Sequence, residues 1–181
     1  MDGKAYIPQA MRTASDQFHS DIINSDHLIA SLKLCTNNLD FLDKFKKALF
    51  YGKELPEMMQ SATNGKLNLK EFAAEKLPVN GEFVIHGIIG VATEAGELLE
   101  TLTKTMIGEQ GLDRVNIIEE LGDVFWYMAM ICISLGVSFE EVMDLNIEKL
   151  KLRFPERFSA TRAIYRHIDK ERDLLEGGEP K

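Results

Sequence analysis

The sequence has little that would support zinc, redox or membrane chemistry. It holds two cysteines, Cys35 and Cys132, far apart and with no C-x-x-C, so neither a zinc ribbon nor a dithiol motif is indicated. Reduced, packed thiols of a cytoplasmic protein are the expectation for both. The first residues, MDGKAYIPQAMRTASD, do not read as a signal peptide. The most apolar run, Val124 to Val137, is too short to span a bilayer and carries Trp126 and Tyr127. Positive charge is in deficit: 21 Lys and Arg against 29 Asp and Glu give −8. General nucleic-acid binding wants a basic footprint, so neither nucleic acid nor membrane is expected as a partner. No segment alternates as a strand would, and there is no internal repeat or low-complexity tract.

What is present is helical periodicity, and the chain reads as all-α. At 181 residues it is long enough for one domain with a core, expected to span residues 1–181. Residues 1 to 5 are expected to fray, with Pro8 opening a first helix that Gln9 to Phe18 continue. Ser25 and Asp26 are N-cap types before a helical stretch to residue 51. Asn37 and Asn38 make that stretch two helices or one bent helix. Residues 52 to 82 carry Gly52, Pro56, Gly65, Pro78 and Gly81, and allow only short pieces such as Leu69 to Lys76. Phe83 to about Met106 forms the next long helix. Asp113 caps another, Arg114 to Leu135, which Gly136 ends. Ser138 and Glu141 make a capping box for a helix that stops before Pro155. A last charged helix, Ala160 to Leu175, shows a thin stripe of Ile164, Ile168 and Leu175, suited to docking on a neighbour.

Chemistry concentrates between Val91 and Asp123. Glu94/Glu97 and Glu120/Asp123 are each spaced i, i+3, which puts both carboxylates of a pair on one helix face. Apolar residues surround them, and buried carboxylates are usually paired or bound to metal. Exposed charges on amphipathic helices would explain either pair taken alone. Two pairs on neighbouring helices, each beside a helix-interior glycine (Gly96, Gly122), favour a converging site instead. The glycines suggest close helix packing or room for a ligand. Four carboxylates suit a hard cation such as Mg²⁺. A di-iron bundle would want Glu-x-x-His pairs, which neither acidic pair supplies. His86, two turns before Glu94, fits packing or surface better than ligation.

Mg²⁺ is typically held by a few carboxylates and by substrate phosphates. Asn146, Lys149 and Arg153 recur at helical steps in NIEKLKLRFPERF and offer a face for such phosphates, unless it is simply a solvated charged face. A metal cluster and a cationic face together point to phosphate-ester or phosphoanhydride chemistry.

Three segments, GVATEAGELLETLTK, IIEELGDVFWYMAM and NIEKLKLRFPERF, closely resemble the MazG-like all-α nucleoside triphosphate pyrophosphohydrolases. The family pattern E-E-x-x-E, spacer, E-x-x-D is matched by Glu94, Glu97, Glu120 and Asp123. Its N-x-x-K-L-x-x-R helix is matched by Asn146, Lys149, Leu150 and Arg153. The resemblance covers about residues 83–158, leaving an insert at about 20–80 and a C-terminal helix at about 160–176. It implies a helical bundle of that type with a helical insert near the N-terminus. It implies hydrolysis of a nucleoside triphosphate between its α and β phosphates, to the monophosphate and pyrophosphate. Glu94, Glu97, Glu120 and Asp123 would hold Mg²⁺, with Mn²⁺ a substitute. Asn146, Lys149 and Arg153 would hold phosphate, and Glu119, beside Glu120, would orient or deprotonate the water. A homodimer or homotetramer in the cytoplasm is implied, that of the host if the chain is phage-encoded, and dGTP to dGMP is one candidate reaction. A phosphoribosyl-ATP pyrophosphohydrolase-like enzyme or a catalytically dead helical binding protein are the alternatives. Two features depart from the pattern: the first Glu is Thr93 here, and the insert is long.

Overall fold

A computed structural model of the chain describes residues 1–15, 20, 23–56, 69–77 and 80–177. Among them every regular element is an α-helix, and the fold is all-α. The chain forms two compact units, residues 21–136 and residues 1–20 with 137–181.

The unit 21–136 holds α2 (Ser25–Tyr51), α3 (Leu69–Lys76), α4 (Gly81–Met106) and α5 (Arg114–Leu135). Helix α4 is its centre, with α5 and α2 packed along it and α3 against it. Small residues permit this closeness. A Cβ at Gly90 would run into the Tyr127 ring of α5, and one at Gly96 would lie 2.8 Å from Leu39 Cβ of α2. Gly96 is therefore a packing glycine, whereas Gly122 of α5 faces open space. Helix α2 is one continuous helix. Asn24 caps it, accepting from His27 N at 3.0 Å, and Gly52 closes it at φ 66°. Asn37 and Asn38 do not interrupt it, and both are exposed on its surface. Asp113 caps α5 by accepting from the backbone of Val115 and Asn116 at 3.1 Å each. Cys35 is exposed rather than packed, and Cys132 is half-buried.

The other unit holds α1 (Gly3–Met11), α6 (Phe139–Arg153), α7 (Ala160–Ile164) and α8 (Ile168–Leu175). The capping box of Ser138 and Glu141 starts α6, and α1 and α8 pack on it. Helix α1 begins earlier than Pro8: Asp2 accepts from Ala5 N at 2.8 Å and nucleates it at Gly3. It ends at Met11, where the Arg12 guanidinium donates to the carbonyl oxygens of Phe154 and Pro155 at 3.1 and 3.3 Å. Residues 16–18 of the expected first helix lie outside the described residues, as do 57–68 of the insert. The expected last helix is broken in two at residues 165–167. The break brings Arg166 and Glu171 within 2.7 Å, while Glu171 also reaches Arg153 of α6. Two charge-assisted contacts to one buried carboxylate outweigh the few helical hydrogen bonds lost at the break.

Large apolar side chains stay exposed along α5: Val115, Ile118, Leu121, Phe125, Trp126 and Ile133. Ile164, Ile168 and Leu175 are exposed as well. None of the helices among the described residues is by itself long and apolar enough to cross a membrane.

Candidate active site

Packing α5 against α4 brings three of the four predicted metal ligands together. Carboxylate oxygens of Glu94, Glu97 and Glu120 all lie within 4.8 Å of one another. Glu94 and Glu120 are buried, and Glu97 is the more open of the three. Asn116, one turn before Glu120, donates from Nδ2 to Glu120 Oε1 at 2.7 Å, and its own carbonyl oxygen accepts from the Thr101 hydroxyl of α4. That chain fixes the Glu120 carboxylate toward α4. Burial, then the neighbouring charges of Glu97 and Glu94, push the Glu120 carboxyl up to about 7, against the opposing hydrogen bond from Asn116. Burial and the charges of Glu94 and Asp43 raise Glu97 as well. Crowded oxygens of this kind fit a hard divalent cation, which would relieve the repulsion among them. Asp123 is exposed, one turn beyond Glu120 and outside the group of three, and Glu119 is exposed beside Glu120.

The insert reaches the same cluster. Lys46 of α2 is buried, its side chain 3% exposed, with Nζ 2.9 Å from Glu94 Oε1 and 2.7 Å from Thr93 Oγ1. Asp43 Oδ1 lies 3.1 Å from the same Nζ and makes no hydrogen bond, while Lys47 pairs with the other oxygen of Asp43. Burial opposes the Lys46 charge, but its hydrogen bond to Glu94 and its close contacts with Tyr127 and Asp43 outweigh it and hold the ammonium well above the ordinary lysine range. The Tyr127 ring also lies beneath Nζ at 4.9 Å to its centroid. Next to it His86 is buried, stacked on Phe50 at 3.9 Å and edge-on to Tyr51, Trp126 and Tyr127. Burial and the Lys46 charge lower the His86 imidazole, which favours its neutral form. His86 is thus a packing residue, as its isolation in the sequence suggested.

Asn146, Lys149 and Arg153 all lie on α6. Asn146 Oδ1 accepts from the Tyr6 hydroxyl at 3.0 Å. Lys149 is half-buried. Arg153 grips Glu171 through two bonds of 2.8 and 2.5 Å, and this, with Arg166, takes the Glu171 carboxyl down to about 2 against the cost of burial. A cavity of about 340 Å³ opens beside this pair, lined among others by Arg153, Arg162, Arg166 and Lys170.

The MazG nucleotide pyrophosphohydrolase domain matches residues 88–158. Over those residues the chain is similar to the MazG domain. The match takes in both acidic pairs, Glu119 and the whole Asn146–Arg153 face. The chain is also 33% identical over 75 residues to the Gene 37 protein of Mycobacterium phage L5, covering 39% of this chain and 63% of that protein. It therefore spans less than two thirds of the length of that relative. No solved structure matches.

Lys46 and Asp43 fall outside the MazG match, and sequence reasoning missed them. The signal was there as D-x-x-K-K, a spacing that places Asp43 one turn from both Lys46 and Lys47. On an amphipathic helix it looks like a solvated salt bridge until Lys46 is seen to face α4.

Proposed function

We propose that this protein is a Mg²⁺-dependent nucleoside triphosphate pyrophosphohydrolase, with Mn²⁺ able to replace Mg²⁺. The observation that carries the reading is the convergence of Glu94, Glu97 and Glu120, all within the MazG domain, on one small volume. Those three would hold the ion, with Asp123 as a fourth donor. The bound ion supplies Lewis-acid polarisation of phosphoryl oxygens and a more acidic water.

The chain's own groups do the rest. Glu119, exposed next to Glu120, takes the proton from the attacking water. Asn116 keeps the Glu120 carboxylate aimed at the cluster. Lys149 and Arg153, with Asn146, bind phosphate oxygens, and Arg153 does so from a position already fixed by Glu171. The water oxygen joins the phosphorus it attacks, the α–β bridge breaks, and monophosphate and pyrophosphate leave. Deoxynucleoside triphosphates belong to the substrate class, and dGTP to dGMP is one candidate reaction.

The exposed apolar face of α5 supports assembly. A run of large apolar residues left in water at helical spacing is a surface for a partner, and we propose a second copy of this chain as that partner.

Alanine in place of Glu97 or Asp123 tests the site. Hydrolysis is expected to vanish in both variants while circular dichroism stays near that of the parent. Activity retained in either variant would remove that residue from the site.

A further inference from the structure

The charges buried at the acidic cluster are not all carboxylates. Thr93 precedes Glu94 and brings a hydroxyl but no charge, where the family pattern leads one to expect a glutamate. Its Oγ1 donates to the Gly90 carbonyl at 2.9 Å and accepts from Lys46 at 2.7 Å. An ammonium has three N–H donors. Lys46 donates to Thr93 Oγ1 and Glu94 Oε1 at 2.7 and 2.9 Å, and Asp43 Oδ1 lies 3.1 Å from Nζ as an ion-pair partner. Nζ thus sits in an oxygen shell drawn from two helices, beside the carboxylates that would take a metal. Asp43 has a second cation in Lys47, so the charge of Lys46 falls mainly on the Glu94 side.

Three ionised carboxylates, Glu94, Glu97 and Glu120, carry −3, and Lys46 brings the buried group to −2. One divalent ion neutralises −2. A glutamate at position 93 with no lysine would give −4, which calls for two ions. The count is of the buried group alone: Asp123 is exposed and outside the group of three, and as a fourth donor it would reach the ion from the solvent side.

We propose that Lys46 is a fixed cation of the active site, taking the place of a second metal ion, so that the acidic cluster binds one divalent ion per chain. The inference rests on the metal-dependent reading above. It makes α2, outside the MazG match, part of the site's electrostatics.

The test is to count Mn²⁺ on the full chain by titration calorimetry and by the electron paramagnetic resonance of free ion, with no nucleotide present. One ion per chain is expected, lost in Glu97→Gln. Lys46→Met is expected to take up a second ion, or to bind the first on the order of tenfold more tightly, since a like charge a few ångströms away has gone. Lys46→Arg, which keeps the charge, is expected to keep the count at one. Two ions on the parent chain, both lost in Glu97→Gln, would overturn the proposal while leaving the hydrolase reading intact. So would an unchanged count and affinity in Lys46→Met. No bound ion at all would overturn both. If Lys46→Met does not fold, the count on the parent chain still decides.

Discussion

Lys46 Nζ and Glu94 Oε1 lie 2.9 Å apart inside the layer formed by α2 and α4, and both side chains are almost fully buried. Removing one partner of such a pair leaves the other charge buried and uncompensated, which costs about 3–5 kcal/mol. Glu94→Ala should therefore lower the midpoint of chemical unfolding strongly. Glu97→Ala, at the open side of the cluster, should shift it little. Urea unfolding of the two variants side by side checks the contrast.

Asn116 makes a second prediction. Its amide donates to Glu120 and favours the ionised carboxylate. Asn116→Leu removes that help, so Glu120 should need a higher pH to ionise. The pH profile of activity, and of Mg²⁺ affinity, should move to higher pH by a measurable fraction of a unit. A uniform loss of activity with an unmoved profile would mean that Asn116 only packs.

The pH dependence of stability follows from the same carboxyl. Glu120 is raised from 4.5 to about 7 in the folded protein without metal. The folded state therefore holds its proton more tightly than the unfolded chain does. Its contribution is full below pH 4.5 and is lost as pH rises to about 7. Metal-free protein should melt at a lower temperature at pH 8 than at pH 5.5, other conditions being equal. Added Mg²⁺ should raise the melting temperature more at pH 8 and release a proton when it binds near pH 6.

Glu171 behaves in the opposite way. Its carboxyl is lowered from 4.5 to about 2 by Arg153, so its stabilisation is present above pH 4.5 and disappears as pH falls toward 2. Glu171→Gln should cost on the order of 2 kcal/mol at pH 7, since hydrogen bonds to a charged group are lost, and should matter far less at pH 2.5. It should also free Arg153, so a change in KM larger than that in kcat would place Arg153 at the substrate phosphates.

The apolar face of α5 gives a prediction about assembly. Ile118 and Phe125 are 57% and 58% exposed and lie two turns apart. Ile118→Glu with Phe125→Glu should produce a monomer in light scattering where the parent is a dimer or larger. A parent chain that is monomeric at high concentration would remove the second copy from the account.

The local rules of helix formation were legible in residues such as Asp113, Gly136, Ser138 and Glu141, whose chemistry sets an end wherever the chain goes. Leu69 to Lys76 was legible for a similar reason, standing between strong breakers. The C-terminal break was not, because it depends on Glu171 meeting Arg153 from another helix, and nothing local marks Tyr165 to His167 as a stop. In the site, the i, i+3 spacing pointed to Glu94, Glu97 and Glu120. The part of α2 stayed hidden, since Asp43, Lys46 and Lys47 form an ordinary surface pattern and only the packing of α2 on α4, where Lys46 meets Thr93 and Glu94, shows that Lys46 turns inward. Spacing alone likewise does not separate Asp123, which remains exposed, from the three carboxylates that converge.

The most direct test of the central claim is a phosphorus NMR time course of the common NTPs and dNTPs with the purified chain and Mg²⁺. At least one of them is expected to give the monophosphate and pyrophosphate in equal amounts, EDTA to stop the reaction, and Glu97→Gln not to catalyse it. Release of orthophosphate with the diphosphate, or no turnover of any nucleotide by folded protein that binds the ion, would contradict that claim.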